Sequence, residues 1–368
     1  MSHSNAAPGV PGAPPSAPIA WADPGREQAF KGWLASVATA QDLEPASVRP
    51  ASADASFRRY FRVDSRRGAS LIVMDAPPSQ EDCRPFVKVA RLMQTAGLRV
   101  PDILAWDEAN GFILLSDLGP STLMEALHAD QPKAALPLFD AAISALLDWQ
   151  RASQPGVLPP YDTALLRREL ELFPTWYLEQ HRKLVIDPTL RGQLDQLFER
   201  IIARNLEAAP VFVHRDFMPR NLMLPPGDAE PRVGVLDFQD AVHGPITYDI
   251  ASLMRDAFLS WEEDFVLEVT IRYWERARRA GLPVAEDFGE FYRAVEWMGL
   301  QRHLKVLGIF ARLTLRDGKP KYLADTPRFI RYVRATAGRY RELTPLLRLL
   351  DRVEEPAGGP ALYTFGRL

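Results

Sequence analysis

The most informative stretch of the chain is Val211-Phe-Val-His-Arg-Asp-Phe-Met-Pro-Arg-Asn-Leu-Met-Leu224, followed by Val233-Gly-Val-Leu-Asp-Phe-Gln-Asp-Ala241. Its short apolar runs, rich in β-branched residues, predict strands that end in polar turns. Asp216, Asn221 five positions later, and Asp237 sixteen positions after that lie at the edges of these runs. The pattern therefore predicts two carboxylates and one amide on loops at strand ends.

The spacing of these three residues suits phosphoryl transfer from ATP. In that reaction one carboxylate orients the acceptor hydroxyl and takes its proton, while an amide and a second carboxylate hold Mg²⁺. We therefore expect Asp216 to be the catalytic base, and Asn221 and Asp237 to hold the metal. The alternative, a metal hydrolase, explains neither the asparagine nor the strand–loop–strand frame. Its ligands would be His214, Asp216, Asp237 and His243.

Composition and charge exclude several classes of protein. The 368 residues, 47% of them hydrophobic, suffice for a two-lobed enzyme with a sizeable core. A net charge of −3 with interleaved acids and bases predicts neither nucleic-acid binding nor membrane binding. A single cysteine, Cys83, suits a reducing compartment. Without an apolar run of membrane-spanning length or a signal-peptide pattern, we expect a cytoplasmic protein.

The chain is expected to have four parts. Residues 1–22, rich in proline and alanine, predict a disordered tail. Residues 23–118 alternate strand patterns with one main helix and predict a small lobe that covers the nucleotide. Residues 119–355, helical apart from the motif strands, predict a larger lobe with the catalytic loop, metal site and acceptor site. Residues 356–368 are expected to form an irregular tail.

Hydrophobic periodicity predicts the elements of both lobes. The small-lobe helices are predicted at 28–38 and 83–96, and its strands at 56–63, 70–75, 103–107 and 112–115. The large-lobe helices are predicted at 136–149, 164–184 and 189–208, with several more after Tyr248. Pro137 would then lie in the first turn of its helix, where its missing N–H costs nothing.

The motifs resemble those of the aminoglycoside phosphotransferase/choline kinase family, small-molecule relatives of the protein kinases. The resemblance is carried by His214-Arg-Asp-Phe-Met-Pro-Arg-Asn221, Leu236-Asp-Phe-Gln-Asp240 and Gly244-Pro-Ile-Thr-Tyr-Asp-Ile-Ala251, and extends to residues 56–62, 73–78 and 114–119. Within the family, residues 237–249 are most similar to the anomeric amino-sugar kinases of bacterial cell-wall recycling. Those enzymes phosphorylate N-acetylmuramate and N-acetylglucosamine at C1.

The resemblance implies an α+β fold, bilobal and protein-kinase-like, with a small β-rich N-lobe and a larger, mostly helical C-lobe. It implies ATP and Mg²⁺ as cofactors and an N-acetylated amino sugar as the small-molecule partner; the oligomeric state stays open. Two alternatives remain: a kinase of an aminoglycoside, choline or homoserine, and an ATP-binding pseudokinase that regulates a partner. The presence of Asp216, Asn221 and Asp237 together counts against a pseudokinase.

The small lobe is expected to bind the nucleotide. Residues 52–56 take the place of a phosphate-covering turn, and Met74 stands where many relatives carry a phosphate-binding lysine. Nearby arginines are candidate substitutes because a guanidinium has a fixed charge and a two-pronged fork; Lys88 is another. The backbone of residues 115–118 is expected to contact adenine. The nucleotide-binding candidates are Ser56, Arg58, Arg59, Arg62, Leu115, Ser116, Asp117 and Leu118.

The large lobe is expected to bind the acceptor. Asp240 either contacts a sugar hydroxyl or caps its own loop. Either Arg302 or Lys305 would pair with the lactyl carboxylate of N-acetylmuramate, with a solvated helix face as the alternative. Trp261 and Glu262 are further candidates.

Two more residues are expected to support the catalytic loop. His214 is predicted to pack and form hydrogen bonds within it. Asp249 is predicted to cap a helix, and the resemblance implies that it supports the loop. The sequence does not decide whether the side chains of Arg215 and Arg220 face a phosphate or solvent. Arg215 has a third alternative, which is to order the loop.

Overall fold

The structure is a computed structural model that describes residues 19–21, 23–53, 57–227 and 231–354. The chain divides into two compact units. The first contains the described residues up to Ala90 together with Pro101–Leu118, and the second contains Arg91–Val100 and the described residues from Gly119 onward. Strands and helices occur in both units, as expected for an α+β protein.

The first unit is a five-stranded antiparallel sheet with helix α1 (Pro24–Ala38). The strand order is β1-β2-β3-β5-β4. The strands are β1 (Leu43–Ala53), β2 (Arg59–Ser65), β3 (Ser70–Asp75), β4 (Ile103–Asp107) and β5 (Phe112–Ser116). Helix α2 (Arg84–Thr95) begins in the first unit and ends in the second.

The core of the first unit forms where α1 packs against the sheet. Asp23 caps α1 by accepting the N–H of Gly25, and Phe30 and Leu34 join Phe61 and Phe112 in one buried cluster. Apolar burial of this kind stabilises by about 25 cal/mol per Å². Trp21, at the end of the predicted tail, lies 5.1 Å from Phe30 between ring centroids.

Strand β1 was not predicted from the sequence. Its segment, LEPASVRPASA, contains two prolines and no regular alternation of apolar and polar residues. Proline cannot donate to a sheet and is tolerated mainly at edges and bulges. In agreement, β1 lies at the sheet edge and pairs only with β2, with two register shifts.

The second unit consists mainly of helices. They are α3 (Leu123–Ala126), α4 (Pro132–Arg151), α5 (Thr163–Leu170), α6 (Pro188–Leu206), α7 (Thr247–Met254), α8 (Glu263–Arg279), α9 (Phe288–Leu315), α10 (Thr326–Arg339) and α11 (Thr344–Val353). Two small antiparallel sheets pair β6 (Pro210–Val213) with β9 (Val242–Pro245), and β7 (Leu222–Met223) with β8 (Gly234–Val235). These sheets position the motif loops.

Two predictions for the second unit are wrong. The predicted helix 164–184 divides into α5 and a π-helix at Phe173–His181. Pro174 lacks the N–H that a continuous α-helix needs, and Gly308 of α9 comes so close that a Cβ there would lie 2.3 Å from the backbone of Leu172. Pro137 lies inside α4, which begins at Pro132, so it is not a first-turn proline.

No helix in the described ranges is long and apolar enough to cross a membrane.

Candidate active site

The loop predicted to be catalytic, residues 214–221, follows β6 and rests on the first turn of α7. The backbone N–H groups of His214 and Arg215 donate to the two carboxylate oxygens of Asp249 at 2.7 and 3.0 Å. Arg215 has a φ of +77°, a left-handed conformation that is costly for a residue with a side chain. Burial raises the pKa of the Asp249 carboxyl to about 6, although His214 and the two donors act against this. Asp249 thus holds a strained loop in place. The prediction that it caps a helix is wrong, because Asp249 lies inside α7 and its carboxylate accepts from the loop instead.

Both ring nitrogens of His214 contact backbone groups of the two motif segments. Its Nε2 lies 3.0 Å from the carbonyl oxygen of Leu236, and its Nδ1 accepts the N–H of Asp216 at 3.2 Å. Because a carbonyl only accepts, Nε2 carries the proton. Burial lowers the pKa of the His214 ring, which favours the neutral form. With both nitrogens engaged, His214 is a scaffold residue and no metal ligand.

Asn221 joins the two motif loops. Its side-chain Nδ2 donates to the backbone carbonyl of Asp216 at 2.9 Å and to Oδ2 of Asp237 at 3.3 Å. Its backbone carbonyl accepts the N–H of Leu236 at 2.9 Å. Asp237 has a φ of +62°, and Oδ1 of its carboxylate accepts from Gln239 at 2.8 Å. Asp216, Asn221 and Asp237 are therefore neighbours, although β7 and β8 lie between Asn221 and Asp237 in the chain.

The oxygens of Asn221 and Asp237 fit a magnesium ion. Mg²⁺ is commonly bound through one or two carboxylates together with phosphate oxygens and waters. In the ranges that the structure describes, no group of three or more His, Cys, Asp or Glu side chains could hold a metal by itself. The metal-hydrolase alternative therefore gains no support.

A buried charge cluster supports the loop from α5, and sequence reasoning missed its central residue. Oε1 of Glu169 accepts from Arg215 at 2.5 Å and from Lys305 at 2.9 Å, and Oε2 accepts from Tyr161. Burial raises the pKa of Glu169, but the two cations outweigh burial and lower it to about 2. The available signal was a glutamate next to Leu170 on the buried face of α5.

Arg215 and Lys305 both form ion pairs with Glu169 in this cluster. Arg215 also donates to the carbonyl of Asp240 at 3.3 Å, so it joins α5 to the loop after Asp237. Lys305, predicted to bind an acceptor carboxylate, is paired with Glu169 instead of presenting an unpaired charge. Buried pairs of this kind are expensive to break, because the remaining charge has no water to stabilise it.

The other acceptor candidates occupy different surroundings. Trp261 is buried and packs against Phe265, with ring centroids 4.4 Å apart. Glu262 is exposed and precedes α8, while Asp240 has an exposed side chain. Arg302 is buried with its guanidinium 5.2 Å from the ring centroid of Tyr248. It lowers the pKa of both the Asp249 carboxyl and the Asp256 carboxyl.

The three arginines among the nucleotide-binding candidates of the first unit all have carboxylate partners. The ion pairs are Arg58 with Glu81 at 3.0 Å, Arg59 with Asp75, and Arg62 with Asp117 at 2.6 Å. Asp75 is fully buried and also accepts from Arg26. Arg26 of α1 and Arg59 of β2 therefore both pair with Asp75 at the end of β3.

The remaining candidates lie along β3 and β5. Met74 is fully buried in the sheet. Asp117 accepts from Ser70 at 2.6 Å, and the hydroxyl of Ser116 accepts the N–H of Asp102 at 2.7 Å. Leu115 and Ser116 end β5, and Asp117 and Leu118 follow it. Ser56 falls outside the described residues.

Comparison with known proteins identifies the class. The model of the phosphotransferase enzyme family matches residues 47–287, and the chain belongs to this family. The chain is 52% identical over 316 residues to the N-acetylmuramate/N-acetylglucosamine kinase of Pseudomonas aeruginosa, covering 86% of this chain and 91% of that protein. It is 47% identical over 326 residues to the protein of the same name from Neisseria meningitidis, covering 88% and 95%.

Solved structures share the fold. The GDP complex of aminoglycoside 2'-phosphotransferase-IIIa matches with a TM-score of 0.58 at 15% identity, over 85% of this chain and 99% of that chain. Plasmodium vivax ethanolamine kinase matches with a TM-score of 0.57 at 10% identity, over 80% and 85%. The predicted family and the predicted kinase-like α+β fold are thereby confirmed.

Proposed function

We propose that this chain is an ATP- and Mg²⁺-dependent kinase that phosphorylates N-acetylmuramate and N-acetylglucosamine at the anomeric C1 hydroxyl, in peptidoglycan recycling. One observation carries the catalytic part: the Asn221 amide bonds both motif loops and so brings Asp216 beside Asp237. The acceptor class rests on the names of the Pseudomonas and Neisseria relatives. The proposed location is the cytoplasm, which supplies ATP.

Asp216 is the proposed base. The residue is partly exposed, which fits access by an acceptor hydroxyl. The C1 hydroxyl of a sugar is more acidic than an ordinary alcohol because the ring oxygen withdraws charge. A carboxylate therefore suffices to orient that hydroxyl and to take its proton late in the transfer.

Asn221 and Asp237 are the proposed magnesium ligands. Bound Mg²⁺ would bridge phosphate oxygens of ATP and neutralise their charge. The hydrogen bonds from Asn221 and Gln239 orient the Asp237 carboxylate before the nucleotide arrives. Such preorganisation matters because little charge or geometry then has to rearrange during the reaction.

Arg302 is the better of the two proposed partners for the lactyl carboxylate. Lys305 already pairs with Glu169, whereas Nε of Arg302 is buried without a hydrogen-bond partner in the described part of the chain. Asp240 has an exposed carboxylate and is the proposed contact for a sugar hydroxyl. N-acetylglucosamine has no lactyl group, so a substitution of Arg302 should affect the two sugars differently.

The test is phosphoryl transfer from Mg-ATP to N-acetylmuramate, N-acetylglucosamine, glucose, choline, homoserine and kanamycin, with phosphorus NMR of the products. Phosphate at C1 of the two N-acetylated sugars is the expected result. Preferential turnover of choline, homoserine or kanamycin would replace the acceptor assignment. ATP binding without turnover of any acceptor would favour a pseudokinase.

A further inference from the structure

The proposed reaction needs a cation near the transferred phosphoryl group, and the three arginines predicted to supply it from the first unit are already paired. Met74 stands at the lysine position and is fully buried. The three candidate arginines each have a carboxylate partner: Arg58 with Glu81, Arg59 with Asp75, and Arg62 with Asp117. An arginine that neutralises phosphate has to exchange such a partner for the ligand.

Arg220 of the second unit differs from these arginines. It directly precedes Asn221 in the 3₁₀ turn Pro219–Asn221, and its side chain is exposed. In the described part of the chain it forms no ion pair and no side-chain hydrogen bond. Its guanidinium lies over the ring of Phe258, 4.9 Å from the centroid. The charge is thus available next to a proposed magnesium ligand.

The loop that carries Phe258 is anchored at both ends. Nε2 of His303 lies 3.3 Å from the carbonyl oxygen of Arg255, and the hydroxyl of Tyr332 bonds Oγ of Ser260 at 2.7 Å. A ring held this way limits where the guanidinium can point, because a cation over an aromatic face is attracted to it. Arg220 is therefore oriented by the ring of Phe258 and forms no ion pair with the described residues.

Asp256 is the acidic group that faces Arg220 from this loop. It is buried, its Oδ1 accepts the N–H of Ala257 at 2.6 Å, and its attraction to Arg220 is electrostatic without a hydrogen bond. Arg302 attracts the same carboxyl. Asp256 biases the position of Arg220 and leaves the guanidinium N–H groups free for a ligand.

We propose that Arg220 is a further catalytic residue, whose guanidinium contacts non-bridging oxygens of the γ-phosphate; this rests on the proposed kinase function. The bond from the γ-phosphorus to the acceptor oxygen forms as its bond to the β-phosphate oxygen breaks. The acceptor proton passes to Asp216, and ADP leaves with the electron pair. Arg220 exchanges no proton and stabilises the charge that spreads over the phosphoryl oxygens.

The test compares Arg220→Ala and Arg220→Lys with Arg278→Ala. Arg278 is a matched control, because it is also exposed and lies 4.9 Å from the centroid of an aromatic ring, that of Trp274. We expect Arg220→Ala to lower kcat by about 100-fold or more, Arg220→Lys to lower it less, and Arg278→Ala to leave it unchanged. Added guanidinium should restore part of the Arg220→Ala rate.

Nucleotide binding gives a readout that does not need an acceptor. By titration calorimetry, Arg220→Ala should weaken a non-hydrolysable ATP analogue about tenfold and leave ADP affinity within twofold, because only the analogue has a γ-phosphate. Equal losses for both nucleotides, or no loss for either, would overturn the role of Arg220. A wild type that phosphorylates none of the acceptors tests the kinase proposal instead, and the nucleotide comparison still decides on Arg220.

Discussion

The backbone N–H of Arg215, the residue between His214 and Asp216, donates to Oδ1 of Asp249 at 3.0 Å. Since Arg215 has a φ of +77°, this hydrogen bond holds the chain in a conformation that it would otherwise avoid. The side chain of Arg215 reaches Glu169 as well. The position of Asp216 therefore depends on two buried carboxylates from two different helices.

Asp249→Ala should destabilise the fold and slow catalysis. The substitution leaves the buried N–H groups of His214 and Arg215 without acceptors, at a cost of about 1–3 kcal/mol each. Asp249→Asn keeps one acceptor oxygen and should cost less. The control is Asp162→Ala, which removes the exposed cap of α5 and should cost about 1 kcal/mol without changing kcat. Chemical denaturation and kcat measurements check both; equal losses for the two positions would contradict the role of Asp249.

Asp216→Asn should lower kcat by roughly 10²–10⁴-fold, the usual contribution of a general base. Asparagine preserves the size of the side chain but cannot take the acceptor proton. ATP affinity should stay within a few-fold, which calorimetry can measure. Asp130→Asn, at an exposed aspartate of a turn, is the control. A rate within tenfold of wild type would remove Asp216 from the role of base.

Asp237→Asn should fold normally and need more Mg²⁺. Asparagine tolerates the left-handed conformation that position 237 adopts, so the backbone should keep its φ of +62°. Loss of the carboxylate charge weakens the attraction for a divalent cation. A titration of the rate against Mg²⁺ should show a higher half-saturating concentration. An unchanged Mg²⁺ curve would mean that other groups hold the metal.

Glu169→Gln should destabilise the protein by about 3–5 kcal/mol, because it leaves Arg215 and Lys305 buried without their carboxylate. Glu171→Gln is the matched control: Glu171 also pairs with two arginines, but its side chain is 34% exposed. Water screens the ion pairs of Glu171, so Glu171→Gln should lower the free energy of unfolding by about 1 kcal/mol or less. Similar denaturation midpoints for the two variants would contradict the buried-cluster interpretation.

Asp256→Asn should raise stability above pH 6. Burial raises the pKa of the folded-state Asp256 carboxyl to about 6, from an ordinary value near 3.8. The folded state then binds more protons than the unfolded state between these values, so stability falls as pH rises from about 4 to 6, by up to roughly 3 kcal/mol. The variant lacks this penalty.

Thermal melting at pH 4.5 and pH 8 tests this expectation. The gain of Asp256→Asn over wild type should be larger at pH 8, while Asp130→Asn, at an exposed site, should follow the wild type at both values. Asp249, whose pKa is also raised to about 6, leaves part of the pH dependence in place. A gain that is independent of pH would contradict the assignment to Asp256.

Local patterns predicted most elements, and their failures have physical reasons. Strand β1 was not predicted because two prolines interrupt the alternation of apolar and polar residues. An edge strand tolerates these prolines, since one of its sides makes no sheet hydrogen bonds. The break between α5 and the π-helix depends on Pro174 and on the close approach of Gly308 from α9. That approach involves a residue far along the chain, which no local window contains.

The amino-acid sequence alone predicted the chemistry that we propose for this protein. Roles for Asp216, Asn221 and Asp237 could be predicted because phosphoryl transfer requires those residue types at strand ends with that spacing, and spacing is a property of the chain. Which cations are already paired became visible only in the folded chain. Lys305 has its ion-pair partner in α5, whereas Arg220 forms no ion pair among the described residues, because charge pairing depends on residues that meet only after folding.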